Sequence, residues 1–260
     1  DAVWPAELPV IVAECDAAGS DIAPRFGLNP NLGVVSLAPS ARRGLTGEDL
    51  AAALQLVLEG VEVLVGPATA EQGQAMATVW GPMAAALAAL GTVDVIADCG
   101  RAGPGSSASR ICPHADVTVV MTRPTPEGMA HADAAISALQ VGAAYLGVVV
   151  RGPRSAVSEV EEALRVPVLG AIPEDHRAAA ILWGEPGGRR YLERSPLIRA
   201  ARELADVIAE LLPTAAGDAG DAAAAFGELG PEAPQAWAPP AMEAMGAGVS
   251  ASMEREPRRA

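Results

Sequence analysis

The chain has 260 residues, half of them hydrophobic but only 3% aromatic. That is enough for one large α/β domain, or a domain and a tail, with a core of Ala, Val, Leu and Ile. A net charge of −14, with all 18 basic residues arginine, repels a nucleic-acid backbone and argues against direct nucleic-acid binding. It also leaves no lysine to reach a phosphate. No apolar stretch reaches the ~18 residues of a membrane span, and no signal peptide is visible. Three cysteines, Cys15, Cys99 and Cys112, lack framework spacing and read as reduced thiols of a cytoplasmic protein.

In chain order, short Val- and Ile-rich runs, apolar on both faces, predict strands at 10–13, 61–65, 93–97, 117–121, 145–150 and 166–170. Helices are expected at 47–58 behind the N-cap Thr46, and at 70–90 with a break or kink at Gly81-Pro82. Others follow at 126–140, 155–164 and 175–183, and from Pro196 to about Leu212 behind the N-cap Ser195. This alternation argues for an α/β class fold, a doubly wound, mostly parallel sheet with helices on both faces. "GEPGGRR", 184–190, reads as a mobile loop. Pro213 ends the periodic pattern, so 1–213 forms one domain. The Ala/Gly/Pro-rich segment 214–260 is expected to be a disordered tail, with a short helix around 221–229.

Ligands of open parallel sheets bind beyond the carboxyl ends of the strands, and four predicted strand ends here are polar. Glu14-Cys15-Asp16 follow the first strand, with Asp21 close behind, and Asp98-Cys99-Gly100 follow the third. Arg151 follows the fifth, and "AIPEDH", 171–176, the sixth. An apolar strand ending in Asp98 before a Gly-rich turn has the form of a Walker B element, whose carboxylate holds Mg²⁺ through water. The cysteines lack the paired spacing of a zinc site. Ser106, Ser107 and Ser109 lack a nucleophile elbow, and His114, His131 and His176 pair with no nucleophile.

The order of these pieces resembles the ParA/MinD group of deviant-Walker P-loop ATPases, over about residues 9–212. "VIVAECDAAGSDIAPRFGL" looks like the family's second strand and first switch, and "VDVIADCGRAG" like its Walker B and second switch. "HADVTVVMTRPTPEG" and "LGVVVRG" match the next strands. "RVPVLGAIPEDHRAAAILWGEPGGRRYLERSPLIRAARELADVI" follows the family's closing layout.

The resemblance implies an ATPase using ATP and Mg²⁺. Asp98 would be the metal-side carboxylate, with Gly100 at the phosphate side. Asp16 would position or activate the attacking water, and Glu14 would support the switch. Arg151, Pro173 and Asp175 would line the base pocket. It further implies a homodimer, a regulatory or cargo protein partner, and a task such as positioning a chromosome, plasmid, division site or secretion machine. Two residues depart from the pattern: Glu14 replaces an Asp, and Arg151 an Asn.

A larger departure is the phosphate loop. No G-x-x-x-x-G-K-[ST] occurs, and the strand at 10–13 corresponds to the family's second. The chain begins at Asp1 and its first Met is Met76. It therefore reads as a truncated, inactive fragment whose absent first strand is central and leaves two unpaired edges. The alternative is a degenerate, non-catalytic scaffold of the same fold. The tail is too poorly amphipathic for a membrane anchor.

Overall fold

The computed structural model describes residues 4–5, 8–57, 60–183 and 185–212. The expected tail and its helix at 221–229 lie outside the described residues. All six expected strands form: β1 (Val10–Glu14) one residue longer, β3 (Glu62–Leu64) one residue shorter at each end, and β4 (Asp94–Asp98), β5 (Thr118–Thr122), β6 (Leu146–Arg151) and β7 (Val168–Ile172) displaced toward their C-terminal ends.

One short strand was not anticipated. The segment 47–58 does not form a single helix: α3 (Gly47–Ala53) stops, and β2 (Gln55–Leu56) pairs antiparallel to β3. The Gln55 amide draws the chain out of the helix. Its Oε1 accepts from Asn29 N–H, and its Nε2 donates to the carbonyls of Asn29 and Leu32. The Thr46 cap is present and reciprocal with Asp49.

The predicted break at Gly81-Pro82 also lies elsewhere. α4 (Ala70–Ala75) gives way to a 3₁₀ turn at Met76–Thr78, and α5 (Trp80–Leu90) begins before the proline. Pro82 thus sits in a first turn, where its missing N–H costs nothing.

Four short helices escaped the periodic pattern: α1 (Ile22–Phe26), α2 (Val34–Ala41), α6 (Ser107–Ile111) and α10 (Arg189–Arg194). α10 falls partly within the segment read as a mobile loop. The remaining helices match expectation: α7 (Pro126–Leu139), α8 (Val157–Leu164), α9 (His176–Leu182) and α11 (Pro196–Leu211), the last capped by Ser195.

The strands form two sheets, in the orders β2-β3-β1-β4 and β5-β6-β7, parallel except for β2. One face of the first sheet packs Ile11, Ala13 and Leu64 against α2, α3 and α5 through Leu37, Leu50, Trp80 and Met83. One face of the second packs Val120, Val148 and Val150 against α7 and α8. Cys99 packs against both clusters, so they lie on the same side. On the other side, Ala23 of α1 packs on Val63 and Val65, and α11 lies on β7, where Leu204 approaches Gly170.

Among the described residues β4 pairs only with β1, and β5 only with β6. Between these two edges lies a cavity of about 900 Å³, walled by Ile96 and Val119 and by residues of α5 and α11. Ile96 is 42% exposed, Val119 38% and Met121 57%. The interruption expected from the sequence thus falls between β4 and β5.

Candidate functional site

β1 and β4 run side by side in a register that sets Glu14 opposite Asp98. Cys15 N–H donates to the Asp98 carbonyl at 2.6 Å, which carries the pairing into both loops. The acids at these strand ends have separate surroundings.

Glu14 is 5% exposed, and both its oxygens are occupied. Oε1 accepts from the backbone N–H of Asp21 (2.7 Å) and Ile22 (3.1 Å). Oε2 accepts from Gly66 N–H at 3.0 Å and from the Ser20 hydroxyl. The carboxylate therefore holds the start of α1 and ties β1 to the end of β3. It fixes the loop around the site.

Asp16 is half-buried. Its Oδ1 accepts from Ala18 N–H at 2.8 Å. Asp98 is exposed, and its Oδ1 accepts from Gly100 N–H at 3.0 Å. Gly100 joins the two carboxylates. Its φ is 60°, and a Cβ placed there would meet Asp16 Oδ2 at 2.1 Å. Only glycine provides both the left-handed backbone and the space. The loop carrying Asp16 is braced from behind, where a Cβ on Gly73 of α4 would lie 2.1 Å from the Ala17 carbonyl. Asp16, Asp98 and Gly100 thus converge at the carboxyl ends of β1 and β4.

The thiols beside these acids are strongly perturbed. Burial first, then Asp98, Cys112 and Asp16, push the Cys99 thiol up to about 12. Cys15 is raised by burial first, then by Cys99, Asp98 and Glu14. A thiol at that value is on the order of 10⁻⁴ ionised at pH 8, against roughly a quarter for an ordinary one. Cys99 is only half-buried, so charge and desolvation, more than access, protect it. Both folded values are raised, so their stabilising contribution is complete below the unfolded thiol value of ~8.5 and is lost as pH climbs toward the folded one. We expect iodoacetamide at pH 8 to label native Cys99 at least ~10³-fold more slowly than the denatured chain, read by peptide mass spectrometry. Rapid native labelling would contradict this environment.

The residues expected at a base pocket form a second group, at the ends of β5, β6 and β7. Arg151 Nε lies 3.4 Å from Glu174 Oε1, and Arg123 Nε 3.9 Å from the same oxygen. Pro173 is half-buried beside them. Asp175 caps α9: its Oδ1 accepts from Ala178 N–H at 2.9 Å and from the Tyr191 hydroxyl at 3.1 Å. Its Oδ2 is buried with no hydrogen-bond partner among the described residues. Desolvation, followed by the bond to Asp175, pushes the Tyr191 phenol up. The Arg177 guanidinium lies 4.3 Å from the Tyr191 ring centroid. The open interval between β4 and β5 separates the two groups.

One contact connects α1, beside the acidic group, with α9. The Arg25 guanidinium stacks on Trp183, 3.2 Å from the ring centroid. Trp183 is itself 63% exposed, so the contact contributes about 0.5–1 kcal/mol. Arg25→Ala should therefore shift the emission of Trp183, isolated by subtracting the spectrum of Trp183→Phe, with little loss of stability. An unaltered Trp183 component would mean that the ring is not stacked.

Glu14, Asp16, Asp98, Gly100, Arg151, Pro173 and Asp175 were expected from the sequence; Glu174, Tyr191 and Trp183 were not. Glu174 lay within a quoted strand end, but the other two carry no local signal.

No protein-family model matches the chain, and no curated protein does. Solved structures do. A ParA family ATPase from Chlorobium tepidum superposes with a TM-score of 0.63 at 16% identity, over 77% of this chain and 85% of that one. The septum site-determining protein MinD of Pyrococcus horikoshii, complexed with Mg-ADP, gives 0.60 at 19% identity, over 78% and 84%. The MinC:MinD cell division protein complex of Aquifex aeolicus gives 0.50 at 18% identity, over 80% and 86%. The chain has the mixed α/β fold of the ParA and MinD ATPases.

Proposed function

We propose that this chain forms the carboxylate and base sides of a Mg²⁺–ATP site in a ParA/MinD-type switch protein. The observation that carries the reading is the convergence of Asp16, Asp98 and Gly100 at two neighbouring strand ends of that fold. Asp98 would face the cation. Among the described residues no three His, Cys, Asp or Glu side chains are grouped to hold a metal ion. Water and nucleotide oxygens would therefore complete its shell, as Mg²⁺ favours. Asp16 would orient water, with Glu14 holding the loop. Arg151, Pro173 and Asp175 would border the base.

The phosphate side does not fit. There is no lysine and no phosphate-loop motif in these 260 residues, so we derive no hydrolytic step for them and expect none. In a protein that also carries a phosphate loop, nucleotide turnover would switch homodimerisation and the binding of a regulatory or cargo protein. The setting would be cytoplasmic, with roles such as partitioning or division-site placement. Among the described residues no helix is long and apolar enough to cross a membrane.

A second reading, a non-catalytic scaffold, draws on Arg151, which is paired with Glu174 at the base side. Titrating the native protein with a fluorescent ATP analogue, with Mg²⁺ and then with EDTA, decides between them. Saturable binding that EDTA reverses supports the switch. No binding in either condition supports the scaffold.

A further inference from the structure

We propose that the groove between α2 and α4 is a docking site for an acidic amphipathic helix of a partner protein. The inference rests on this groove and not on the nucleotide reading.

The groove follows from where its two walls start. Gly33, the N-cap of α2, lies so close to Val65, the residue after β3, that a Cβ would stand 2.1 Å from the Val65 carbonyl. Val34 N–H donates to that carbonyl at 2.9 Å. α4 is capped by Thr69, and Gln72 Oε1 accepts from Ala68 N–H at 2.9 Å. Both helices therefore start at the segment 65–69. At the far end, Arg42 Nη2 donates to Thr78 Oγ1 at 3.3 Å. The walls run side by side in the same direction, with a cavity of about 540 Å³ open between them. The groove also stands behind the candidate site. Gly66, inside the shared starting segment, donates to Glu14, and Gly73 of α4 braces the loop that carries Asp16.

Its lining has helical spacing on both sides. Val35, Ala38 and Arg42 face it from α2, at i, i+3 and i+7. Gln72, Met76 and Val79 face it from α4 and the turn that follows, at i, i+4 and i+7. Two turns of each wall thus present one stripe, an arrangement that takes a third helix of the same period. α2 has eight residues, which sets the length of the groove at about 12 Å, or roughly two turns of an occupant. A flexible amphiphile needs no such period, so the matched spacing favours a helix.

Charge selects the sign of the occupant. The chain carries −14, yet this groove ends in two adjacent cations. Arg42 and Arg43 both line it, and both are exposed. Neither forms an ion pair among the described residues. Asp49 lies within electrostatic reach of Arg43, but its carboxylate is already engaged by Thr46 and Ser40. The arginine stems extend the apolar floor and leave the guanidinium heads free for carboxylates. A helix with Leu- or Met-sized side chains on one face, and Asp or Glu at the end beside Arg42 and Arg43, complements both features. The acidic remainder of the surface repels the same helix and so confines it to this groove.

The test is to select displayed helical peptides of about 15 residues, randomised on one face, against the native protein, and then to titrate the recovered peptides by fluorescence anisotropy. They should carry apolar residues at i, i+3 or i+4, and i+7, with acids clustered at one end. Ala38→Trp, which fills the groove, should weaken them at least ~10-fold, and so should the charge reversal of Arg42→Glu combined with Arg43→Glu. A peptide with Lys in place of its acids should bind the reversed protein and not the wild type. Circular dichroism checks that each variant folds, and either variant alone suffices to place the peptide. The proposal is overturned if no peptide is recovered, if the recovered peptides lack acids, or if their binding ignores both variants. A dimer in light scattering that Arg42→Glu dissociates would also overturn it, and give the groove to a second copy. Decanoate binding there with no peptide recovered would give it to a small carboxylate amphiphile instead.

Discussion

Glu14→Ala should destabilise the folded chain by at least ~3 kcal/mol, which at ~2–4 °C per kcal/mol for a domain of this size is a fall of about 6–12 °C in Tm. The cause is four donors left in a buried place. The N–H groups of Asp21, Ile22 and Gly66 and the Ser20 hydroxyl all point at this carboxylate, which is 5% exposed. Alanine offers none of them an acceptor, and an unmet buried donor costs more than a hydrogen bond contributes. Glu14→Gln sharpens the test. The amide oxygen keeps two acceptor sites, but the NH₂ would face donors, so an intermediate Tm is expected. If Glu14 acted chiefly as a proton carrier, Gln would remove activity and leave Tm alone. Thermal unfolding followed by circular dichroism separates the two, and an unchanged Tm in both variants would refute the loop-fixing role.

That role also marks where the sequence stopped being informative. A run such as Val10–Ala13 is legible because burial on both faces demands apolar residues on both faces. Apolar runs marked five more strands as well, although β4 and β5 stand partly exposed beside the cavity, and caps such as Thr46 and Ser195 were legible because their partners lie three residues away. Glu14 differs: its donors lie six to eight residues ahead and 52 residues away on Gly66, so nothing local distinguishes it from a catalytic acid. α1 escaped notice because its start is held by this distant carboxylate. β2 was hidden because Gln55 looks helical until Asn29 and Leu32 engage its amide. α10, within a glycine-rich stretch, packs on α9 and α11, and Tyr191 reaches back to Asp175. The strand-end acids were legible as a group, because a parallel sheet collects them at one edge. Their division of labour was not, because it depends on how far each is buried.

Asp98→Ala should act in the opposite manner, on ligand and not on fold. In the native protein, nucleotide affinity in the presence of Mg²⁺ should fall about 100-fold, or ~2.7 kcal/mol, while Tm moves by less than ~2 °C. Asp98 is exposed, and among the described residues its side chain accepts one hydrogen bond, from Gly100 N–H. The bond tying the two loops, from Cys15, uses the Asp98 backbone carbonyl and survives any side-chain change. Two explanations of a loss must be separated, since Asp98 both carries charge and shapes the Gly100 turn. Asp98→Asn retains an oxygen for Gly100 N–H but not the charge. If the turn were what matters, Asn would restore binding. If the carboxylate faces the cation, Asn should fail as Ala does, and both variants should show the weak affinity that the wild type shows in EDTA. A Mg²⁺ titration of nucleotide binding reads this directly. Wild-type Mg²⁺ dependence in both variants would remove Asp98 from the site and leave Asp16, across Gly100, as the carboxylate to test next.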